Sequence, residues 1–220
     1  MPDSSFSLHP SSFQTYAILP VKPLRQAKSR LARALKAPTR AALVRAIFSR
    51  TLDVIAQTDR ITGTIVVSRD LTILELARQR PGVIALAETE SGLNSAIAQG
   101  AAWARTHAAD AIVIVPVDLP LLTAADLDAM LDLALEERCL VIAPDRRDDG
   151  TNVMLVRPPD AIRFAYGAAS FNAHRAQAAA NDLHVHVYRS PSSGLDLDVP
   201  EDLALYQIGA TLLDGRMVSE

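Results

Sequence analysis

The sequence has a single cysteine, few aromatic residues and no long apolar run, and each scarcity excludes a class of protein. The lone thiol of Cys139 cannot form an internal disulfide, which argues against a small secreted scaffold and favours a cytoplasmic protein. The longest apolar run, Ala111 to Val117, is far shorter than the roughly 20 residues that cross a bilayer. We therefore expect no membrane span and no membrane partner.

Charge of one sign and glycine-rich turns are also scarce. The 22 Lys and Arg residues face 25 Asp and Glu residues, for a net charge of -3, and no basic tract is present. A broad electrostatic field that attracts nucleic acid is therefore not expected. Neither a glycine-rich phosphate loop nor a dinucleotide-binding turn occurs. An anionic ligand would have to be held by side-chain cations clustered at one place.

The chain reads as one domain with a short tail. Residues 1–14 are rich in serine but lack a basic leader and an apolar block, so we interpret them as a disordered tail rather than a signal peptide. The rest, 15–220, is long enough to bury roughly 70% of its unfolded surface without a disulfide or a structural metal. No internal repeat or linker divides it.

Short β-branched runs alternate with longer helical patterns, which is typical of an α/β fold with a parallel sheet covered on both faces. Strands are predicted at 16–21, 64–68, 83–86, 111–117, 140–143, 152–156 and 183–188. Helices are predicted from after Pro38 to 57, then at 94–107, 124–136, 171–181 and 200–205. In the first helix, Leu43, Ile47, Val54 and Ile55 would form a buried stripe, while its arginines would face water. Ligands of such sheets gather where the strands end.

Four cations follow the first predicted strand within nine positions: Lys22, Arg25, Lys28 and Arg30. The ordinary interpretation of such a charge run is a solvated basic loop. Because these residues lie at the ligand-bearing edge of the sheet, we favour an anion-binding loop in which side chains grip phosphate.

An acid, Asp118, ends the most apolar strand. A carboxylate buried there without a partner would be costly, so it needs a cation. It could instead cap the following helix. Thr123 lies nearer to that helix and can serve as its cap, which leaves Asp118 free to bind Mg²⁺.

Two further acids, Asp196 and Asp198, are spaced to project on one face of an extended segment and to approach one cation. Hard oxygen ligands favour Mg²⁺, and the chain has no Cys/His cluster that would favour zinc. The alternative is that Asp198 and Asp202 stabilise the first turn of the last helix.

Small residues and hydroxyls dominate the segments around Thr151 and Ser170. Gly167 permits close backbone approach, and Ser170 at a predicted helix start could dock a phosphate. Ser170 could equally be an ordinary N-cap. His174, one turn further on, is compatible with a structural or a ligand-binding role.

The segment Gly92-Leu93-Asn94 precedes the second predicted helix. Asn94 could be its N-cap, or its amide could bind a base edge or a ribose. Both interpretations stay open at the level of sequence.

Taken together, these segments resemble the guanylyltransferases of deazaflavin coenzyme F-420 biosynthesis. The resemblance covers Ala17 to Tyr206. It rests on short motifs whose order and spacing are specific only in combination: Leu19-Pro20-Val21-Lys22, Ala27-Lys28-Ser29-Arg30-Leu31, Gly92-Leu93-Asn94, Asp118-Leu119-Pro120, Gly150-Thr151-Asn152, Ser170-Phe171 with His174, and Leu197-Asp198-Val199-Pro200.

The resemblance implies a single-domain, three-layer nucleotidyltransferase fold with a mostly parallel mixed sheet, GTP as co-substrate and Mg²⁺ as cofactor. The phosphate of a phosphorylated three-carbon acid would attack the α-phosphorus of GTP and release pyrophosphate. The residues implied are Lys22, Lys28 and Arg30 for the GTP phosphates, Asn94 near the nucleoside, Asp118, Asp196 and Asp198 for the metal, and Thr151, Gly167 and Ser170 for the acid. Lys22, Lys28 and Asp118 would be catalytic.

Two residues depart from the pattern of the family: Tyr166 stands for a phenylalanine, and Ala169 for a small residue that is often glycine. The methyl group of Ala169 could narrow the acid pocket. Phosphoenolpyruvate is the expected acid, with 2-phospho-L-lactate and 3-phosphoglycerate as alternatives. A transferase of sugar phosphates or of a molybdenum cofactor precursor, and a non-catalytic nucleotide-binding module, are the rival functions. A downstream deazaflavin-transferring enzyme and a homodimer are the expected partners.

Overall fold

The computed structural model describes residues 13–25 and 28–213, with side chains to Tyr206. Most of the predicted tail therefore lies outside the described residues. Gln14 already belongs to the fold. Its backbone N–H donates to the Asp110 carboxylate, and its backbone carbonyl accepts from the backbone N–H groups of Asp110 and Ala111.

The described strands form one sheet with the order β3-β2-β1-β4-β6-β5-β7. Their bounds are β1 Thr15–Pro20, β2 Ile61–Ser68, β3 Val83–Ala87, β4 Ala111–Ile114, β5 Cys139–Pro144, β6 Thr151–Arg157 and β7 His184–Val187. All neighbours are parallel except β6, which runs antiparallel to β4 and β5. A short hairpin over 145–150 joins β5 to β6, and a connection of that length permits only antiparallel pairing. The predicted mixed, mostly parallel sheet is confirmed.

The helices are α1 Ala37–Ala56, α2 Leu71–Arg78, α3 Leu93–Thr106, α4 Ala124–Asp132, α5 Ser170–Ala180, α6 Pro191–Gly194 and α7 Pro200–Leu213, with a 3-10 helix at Ser29–Arg33. All five predicted helices are present. The prediction for α4 was too long by four residues and that for α7 too short by eight. Both α2 and α6 were missed, because an eight-residue and a four-residue helix show little periodicity.

Apolar side chains fill both sides of the sheet. Residues of α1, α2 and α4 pack on one face, and residues of α3 and α5 on the other. Helix α3 lies very close to the central strand, since a Cβ built on Gly100 would be 2.8 Å from Cγ2 of Ile18. A larger residue at position 100 would push the helix away from the sheet.

A third, smaller apolar cluster joins distant parts of the chain. Leu31 of the opening loop and Leu197 near the last helix both pack on Ile47 of α1, and all three side chains are buried. Leu43 is only partly buried against this cluster, whereas Ile47, Val54 and Ile55 are buried as predicted. This packing brings the basic loop and the C-terminal acids to the same edge of the sheet.

Two arginines of α1 do more than face water. Arg40 is half-buried and donates to the carbonyl of Leu35 at 2.8 Å. Arg50 donates from Nε to the carbonyl of Pro120 at 2.7 Å and from an Nη to that of Leu122 at 3.1 Å. It therefore anchors the loop that follows Asp118. Charge-assisted bonds of this kind are stronger than neutral ones.

Candidate active site

A cavity of about 410 Å³ opens at the carboxyl ends of β1 and β4, the edge of the sheet at which a ligand is expected. Residues from the opening loop and from two acidic segments line it, among them Lys22, Lys28, Asp118 and Asp198. Three separate segments of the sequence therefore converge on one cavity.

The ammonium of Lys28 lies between two carboxylates. Its Nζ is 2.9 Å from Oδ1 of Asp198 and 3.3 Å from Oδ2 of Asp118, and only 8% of its side chain is exposed. Burial by itself would lower the pKa of Lys28, but the charges of Asp118 and Asp198 outweigh it, so the pKa is raised. The ammonium is fully charged at neutral pH and acts as the internal counter-ion of both acids.

The backbone supports this arrangement. Lys28 adopts a left-handed conformation with φ 54°, and its carbonyl accepts a hydrogen bond from the N–H of Leu31 as the 3-10 helix begins. The N–H of Leu197 donates to the carbonyl of Asp118 at 2.9 Å, which ties the two acidic segments together.

Asp118 does not cap α4. Thr123 is the N-cap of that helix, as predicted, and it also forms a reciprocal capping box with Asp126. The Asp118 side chain instead faces Lys28, with 31% of its surface exposed to the cavity.

Asp198 and Asp202 have different roles. Asp202 is buried and accepts from the N–H groups of Asp198 and Val199 at 2.8 Å each, so it stabilises the first turn of α7. The Asp198 carboxylate pairs with Lys28, and with Arg30 at 3.4 Å. Burial raises the pKa of Asp198, but the nearby cations outweigh it, so the pKa is lowered. The helix-capping interpretation is right for Asp202 and wrong for Asp198.

Asp196 lies beside these acids without contributing to a closed metal site. Burial, followed by the charge of Asp118, raises its pKa. Among the described residues, no three Asp, Glu, His or Cys side chains converge closely enough to hold a metal ion on their own. Asp118 and Asp198 thus present a pair of carboxylates on either side of the Lys28 ammonium, and Asp196 is a neighbouring acid.

Of the three other predicted cations, Lys22 and Arg30 are exposed at the rim of the cavity, whereas Arg25 is exposed and lines a different cavity. Lys22 also lines a second space of about 340 Å³, together with Arg69, Glu88 and Gly92. There Arg69 Nε lies 3.2 Å from a Glu88 oxygen, while the other Glu88 oxygen accepts from the N–H of Gly92. This pair has no signal in the sequence, because neither residue belongs to a motif or a charge cluster.

Asn94 does not cap α3. The N-cap is Gly92, whose φ of 140° suits glycine. The Asn94 amide donates to the carbonyl of Tyr166 at 3.1 Å and accepts from its N–H at 2.8 Å. Asn94 therefore fastens the loop before α5 to the start of α3, and its predicted contact with the nucleoside stays a prediction.

The hydroxyl-rich segments meet at the start of α5. The Thr151 N–H donates to Oγ of Ser170 at 2.9 Å, and Oγ1 of Thr151 lies 2.9 Å from Nδ1 of His174. Ser170 is not the N-cap: that position is Ala169, in a left-handed conformation with φ 55°. Thr151, Ser170 and His174 are all buried, and burial lowers the pKa of His174 to about 4.

The two departures from the family pattern lie next to this group. Ala169 is exposed, so the small size of glycine is not what favours glycine at this position. The positive φ of residue 169 favours it instead. The Tyr166 hydroxyl is buried and, within the described part of the chain, has no hydrogen-bond partner. Burial, followed by the charge of Asp118, raises the pKa of Tyr166. Gly167 is exposed with φ 143°, and a Cβ there would contact nothing. The backbone conformation therefore requires glycine at this position.

The fold and the convergence of cations and carboxylates at the strand ends define a nucleotidyltransferase. A putative nucleotide-diphospho-sugar transferase from Desulfovibrio desulfuricans G20 has the same fold, with a TM-score of 0.74 and 19% identity over 93% of this chain and 91% of that chain. The chain belongs to the guanylyl transferase CofC-like family, whose model matches residues 15–210. The resemblance stated from the motifs is confirmed.

Curated relatives agree with this placement. The phosphoenolpyruvate guanylyltransferase of Sphaerobacter thermophilus is 41% identical over 86% of this chain and 90% of its own length, and that of Rubrobacter xylanophilus is 40% identical over 86% and 91%. The 2-phospho-L-lactate guanylyltransferase of Methanocaldococcus jannaschii is 31% identical over 84% and 79%. No helix among the described residues combines the length and apolarity needed to span a bilayer.

Proposed function

We propose that this protein transfers the guanylyl group of GTP to phosphoenolpyruvate, releasing pyrophosphate, in deazaflavin coenzyme F-420 biosynthesis. The observation that carries the proposal is the buried Lys28 ammonium, placed at the strand ends between Asp118 and Asp198. The class of enzyme follows from the family, and the identity of the acid is supported by the relatives named above.

The reaction brings two polyanions together. At 4 Å, two unit charges repel by about 4 kcal/mol when the effective dielectric constant is near 20, so the phosphates need cations around them. Lys28 from the buried side of the cavity and Lys22 from its rim would bind the GTP phosphates and neutralise charge that develops on the leaving pyrophosphate. Arg30, which already reaches Asp198, would assist at the entrance.

The residues suit a magnesium ion. Asp118 and Asp198 present hard carboxylate oxygens to one positive charge, and Asp196 lies close enough for Asp118 to perturb its pKa. Because these acids do not form a closed site by themselves, we propose that Asp118 and Asp198, with Asp196 beside them, would hold the metal together with phosphate oxygens of the substrates. When bound, the metal would supply Lewis-acid stabilisation of phosphate charge and a template for the two substrates.

The chain's own residues have a positioning task. The phosphate of the acid is ionised at neutral pH, so no general base is required, and catalysis rests on placing the two substrates in line. We assign Thr151, Gly167 and Ser170 to the acid, and Asn94 to the nucleoside side through the loop that it fastens.

Three further proposals concern the setting of the enzyme. We propose that it acts in the cytoplasm, as a homodimer that passes its product to a downstream deazaflavin-transferring enzyme. Transfer to 2-phospho-L-lactate or 3-phosphoglycerate is the alternative reaction. The first acid lacks the double bond of phosphoenolpyruvate, and the second also carries its phosphate on C3 and a hydroxyl on C2.

The experiment uses the full chain with GTP, Mg²⁺ and each of the three acids in turn. Pyrophosphate release is measured, and the products are identified by mass after capture with the deazaflavin acceptor enzyme. We expect release with phosphoenolpyruvate and a guanosine diphosphate-linked acid. Binding of GTP without pyrophosphate release with any acid would favour a non-catalytic module, and turnover of a sugar phosphate would favour the related transferases.

A matched pair of variants tests the site. Asp118→Asn should abolish turnover while changing the free energy of unfolding by no more than about 1 kcal/mol. Asp59→Asn is the control and should retain wild-type rates, because Asp59 is exposed and precedes the amino end of β2, whereas the cavity lies at the carboxyl ends of the strands. Near-normal rates in Asp118→Asn would remove Asp118 from the mechanism.

A further inference from the structure

A cavity of about 800 Å³ lies beside the opening loop, and four arginines line it. They are Arg25 of the loop, Arg40 and Arg45 of α1, and Arg69 between β2 and α2. We call this space the arginine cavity. It shares no lining residue with the active-site cavity, since loop residues 23–25 line the former and 28–30 the latter. Small-molecule sites typically have volumes of roughly 300–1,000 Å³, so the space suits a ligand of that kind.

The spacing of residues on α1 forms one wall of the arginine cavity. Ala37, Ala41 and Arg45 are four positions apart, so they lie on one face of the helix, and all three line the cavity. The two small alanines leave space in front of the helix. Helix α1 also begins here, with no side-chain cap on Lys36 and no acid in its first turn. The positive end of the helix dipole therefore adds to the charge of the arginines.

The acid of the arginine cavity is directed at the backbone. Among the residues that line the cavity, only Asp70 is acidic. One of its oxygens accepts from the N–H of Leu24 at 2.9 Å, and the other accepts from the N–H of Thr72 at 3.0 Å. Asp70 thus holds the opening loop in place and caps α2, and its carboxylate is not paired with a guanidinium group.

Three of the four guanidinium groups have no acidic partner. Within the described ranges 13–25 and 28–206, Arg25, Arg40 and Arg45 form no ion pair, whereas Arg69 pairs with Glu88. The protein as a whole has a net charge of -3, so this local excess of positive charge runs against its composition. Like charges gathered in one place repel each other, and an anion that binds between them relieves this cost.

We propose that the arginine cavity is an anion site, separate from the active-site cavity, that binds an oligophosphate. Guanidinium groups are planar forks that match phosphate oxygens in pairs, and they stay charged at physiological pH. Because the arginines come from three segments of the chain, a ligand with more than one phosphate group can engage several of them at once. Free pyrophosphate and the phosphate tail of a nucleotide share this chemistry.

Chemical shifts locate the site. Pyrophosphate is added to the ¹⁵N-labelled full chain without Mg²⁺, and the backbone N–H signals of Ala37, Ala41 and Thr72 are followed. We expect these signals to shift and to saturate. They should do so in Lys28→Met as well, although its active-site cavity has lost the buried ammonium. No shift of these three signals up to about 10 mM pyrophosphate would overturn the inference.

A matched pair of variants, each lacking one exposed arginine of a helix, tests the affinity by calorimetry in the Lys28→Met background. Arg45→Gln should weaken pyrophosphate binding about 10-fold, because charge-assisted hydrogen bonds are lost. Arg78→Gln removes an arginine of α2 that does not line the cavity, so at physiological ionic strength it should change the affinity by less than about 2-fold. Equal weakening in both variants would show a general attraction by net charge and would refute the site.

Three probes identify the source of the phosphate. Orthophosphate should bind at least about 10-fold more weakly than pyrophosphate, since it reaches fewer guanidinium groups. Tighter binding of GTP than of pyrophosphate would identify a nucleotide as the ligand, and the reverse order would identify the free oligophosphate. Orthophosphate binding as tightly as both would refute the preference for an oligophosphate. None of these measurements depends on turnover, so failure of the proposed reaction would leave their result unchanged.

Discussion

Replacing Lys28 by methionine removes the counter-ion of two carboxylates while keeping a side chain of similar length. At the separations of 2.9 and 3.3 Å, the two attractions amount to about 6 and about 5 kcal/mol with an effective dielectric constant near 20. Most of this gain offsets the cost of burying the ammonium. The net loss is therefore much smaller than the sum of the two attractions.

The expected loss of free energy of unfolding depends on the two carboxylate charges that remain in the variant. Breaking a buried ion pair costs about 3–5 kcal/mol because an uncompensated charge remains. Here Asp118 and Asp198 are 31% and 39% exposed, so water screens part of their repulsion. We expect Lys28→Met to lower the free energy of unfolding by about 2–3 kcal/mol, which lowers Tm by about 5–10 °C in a chain of this size.

The assay is thermal unfolding at pH 7.5 in a chelating buffer, followed by the same measurement with Mg²⁺. Lys28→Met/Asp118→Asn should be more stable than Lys28→Met, because one of the two facing charges is gone. Added Mg²⁺ should raise the Tm of Lys28→Met more than that of the double variant, since binding to the folded state stabilises it. If Lys28→Met unfolds within about 2 °C of the wild type and Asp118→Asn adds nothing to it, Lys28 is not the counter-ion that the distances indicate.

Three other perturbations test the surroundings of the site. Folded His174 takes a proton only near pH 4, whereas an unfolded histidine takes it near pH 6.5. The free energy of unfolding should therefore fall by about 3 kcal/mol as the pH drops through this window. Denaturant unfolding of His174→Asn should lack this loss, and an equal pH slope in both proteins would contradict the assignment. Asp202→Ala should lower the free energy of unfolding by about 3 kcal/mol and reduce turnover, because the Asp202 carboxylate binds the backbone N–H of Asp198 and the guanidinium of Arg146. A loss below about 1 kcal/mol in urea unfolding would show that water replaces the carboxylate. Ala169→Gly should be about 0.5 kcal/mol more stable, since the φ of 55° strains alanine by slightly more than glycine loses in chain entropy; a Tm below that of the wild type would refute this.

The elements of the fold were predictable to the extent that they repeat a local pattern. All seven strands and the five longest helices follow from runs of β-branched residues and from apolar residues at helical spacing. The α2 helix escaped detection although Asp70 caps it and Ile73, Leu74 and Ala77 face the core, because so short a helix repeats the pattern only twice. A cap followed by buried residues at i+3, i+4 and i+7 was the available signal.

The candidate site was predictable as a set of residues but not as a set of contacts. The basic loop and the acids at the strand ends are visible in the sequence because strand ends gather ligand-binding groups. The spacing of Asp198 and Asp202 could not show which of them faces Lys28 and which stabilises α7, since each acid lies two positions from Pro200.

The sequence by itself determined the class of fold, the placement of cations and carboxylates at the strand ends, and the absence of a glycine-rich phosphate loop, because these depend on residue type and local periodicity. Only the tertiary structure decided that Lys28 meets Asp198, 170 positions away, since that contact depends on Leu31 and Leu197 packing on the same helix. It also decided which groups meet the two ring nitrogens of His174, because these are a backbone N–H and a hydroxyl from two other segments. Long-range packing and the direction of hydrogen bonds have no local signature in an amino-acid sequence.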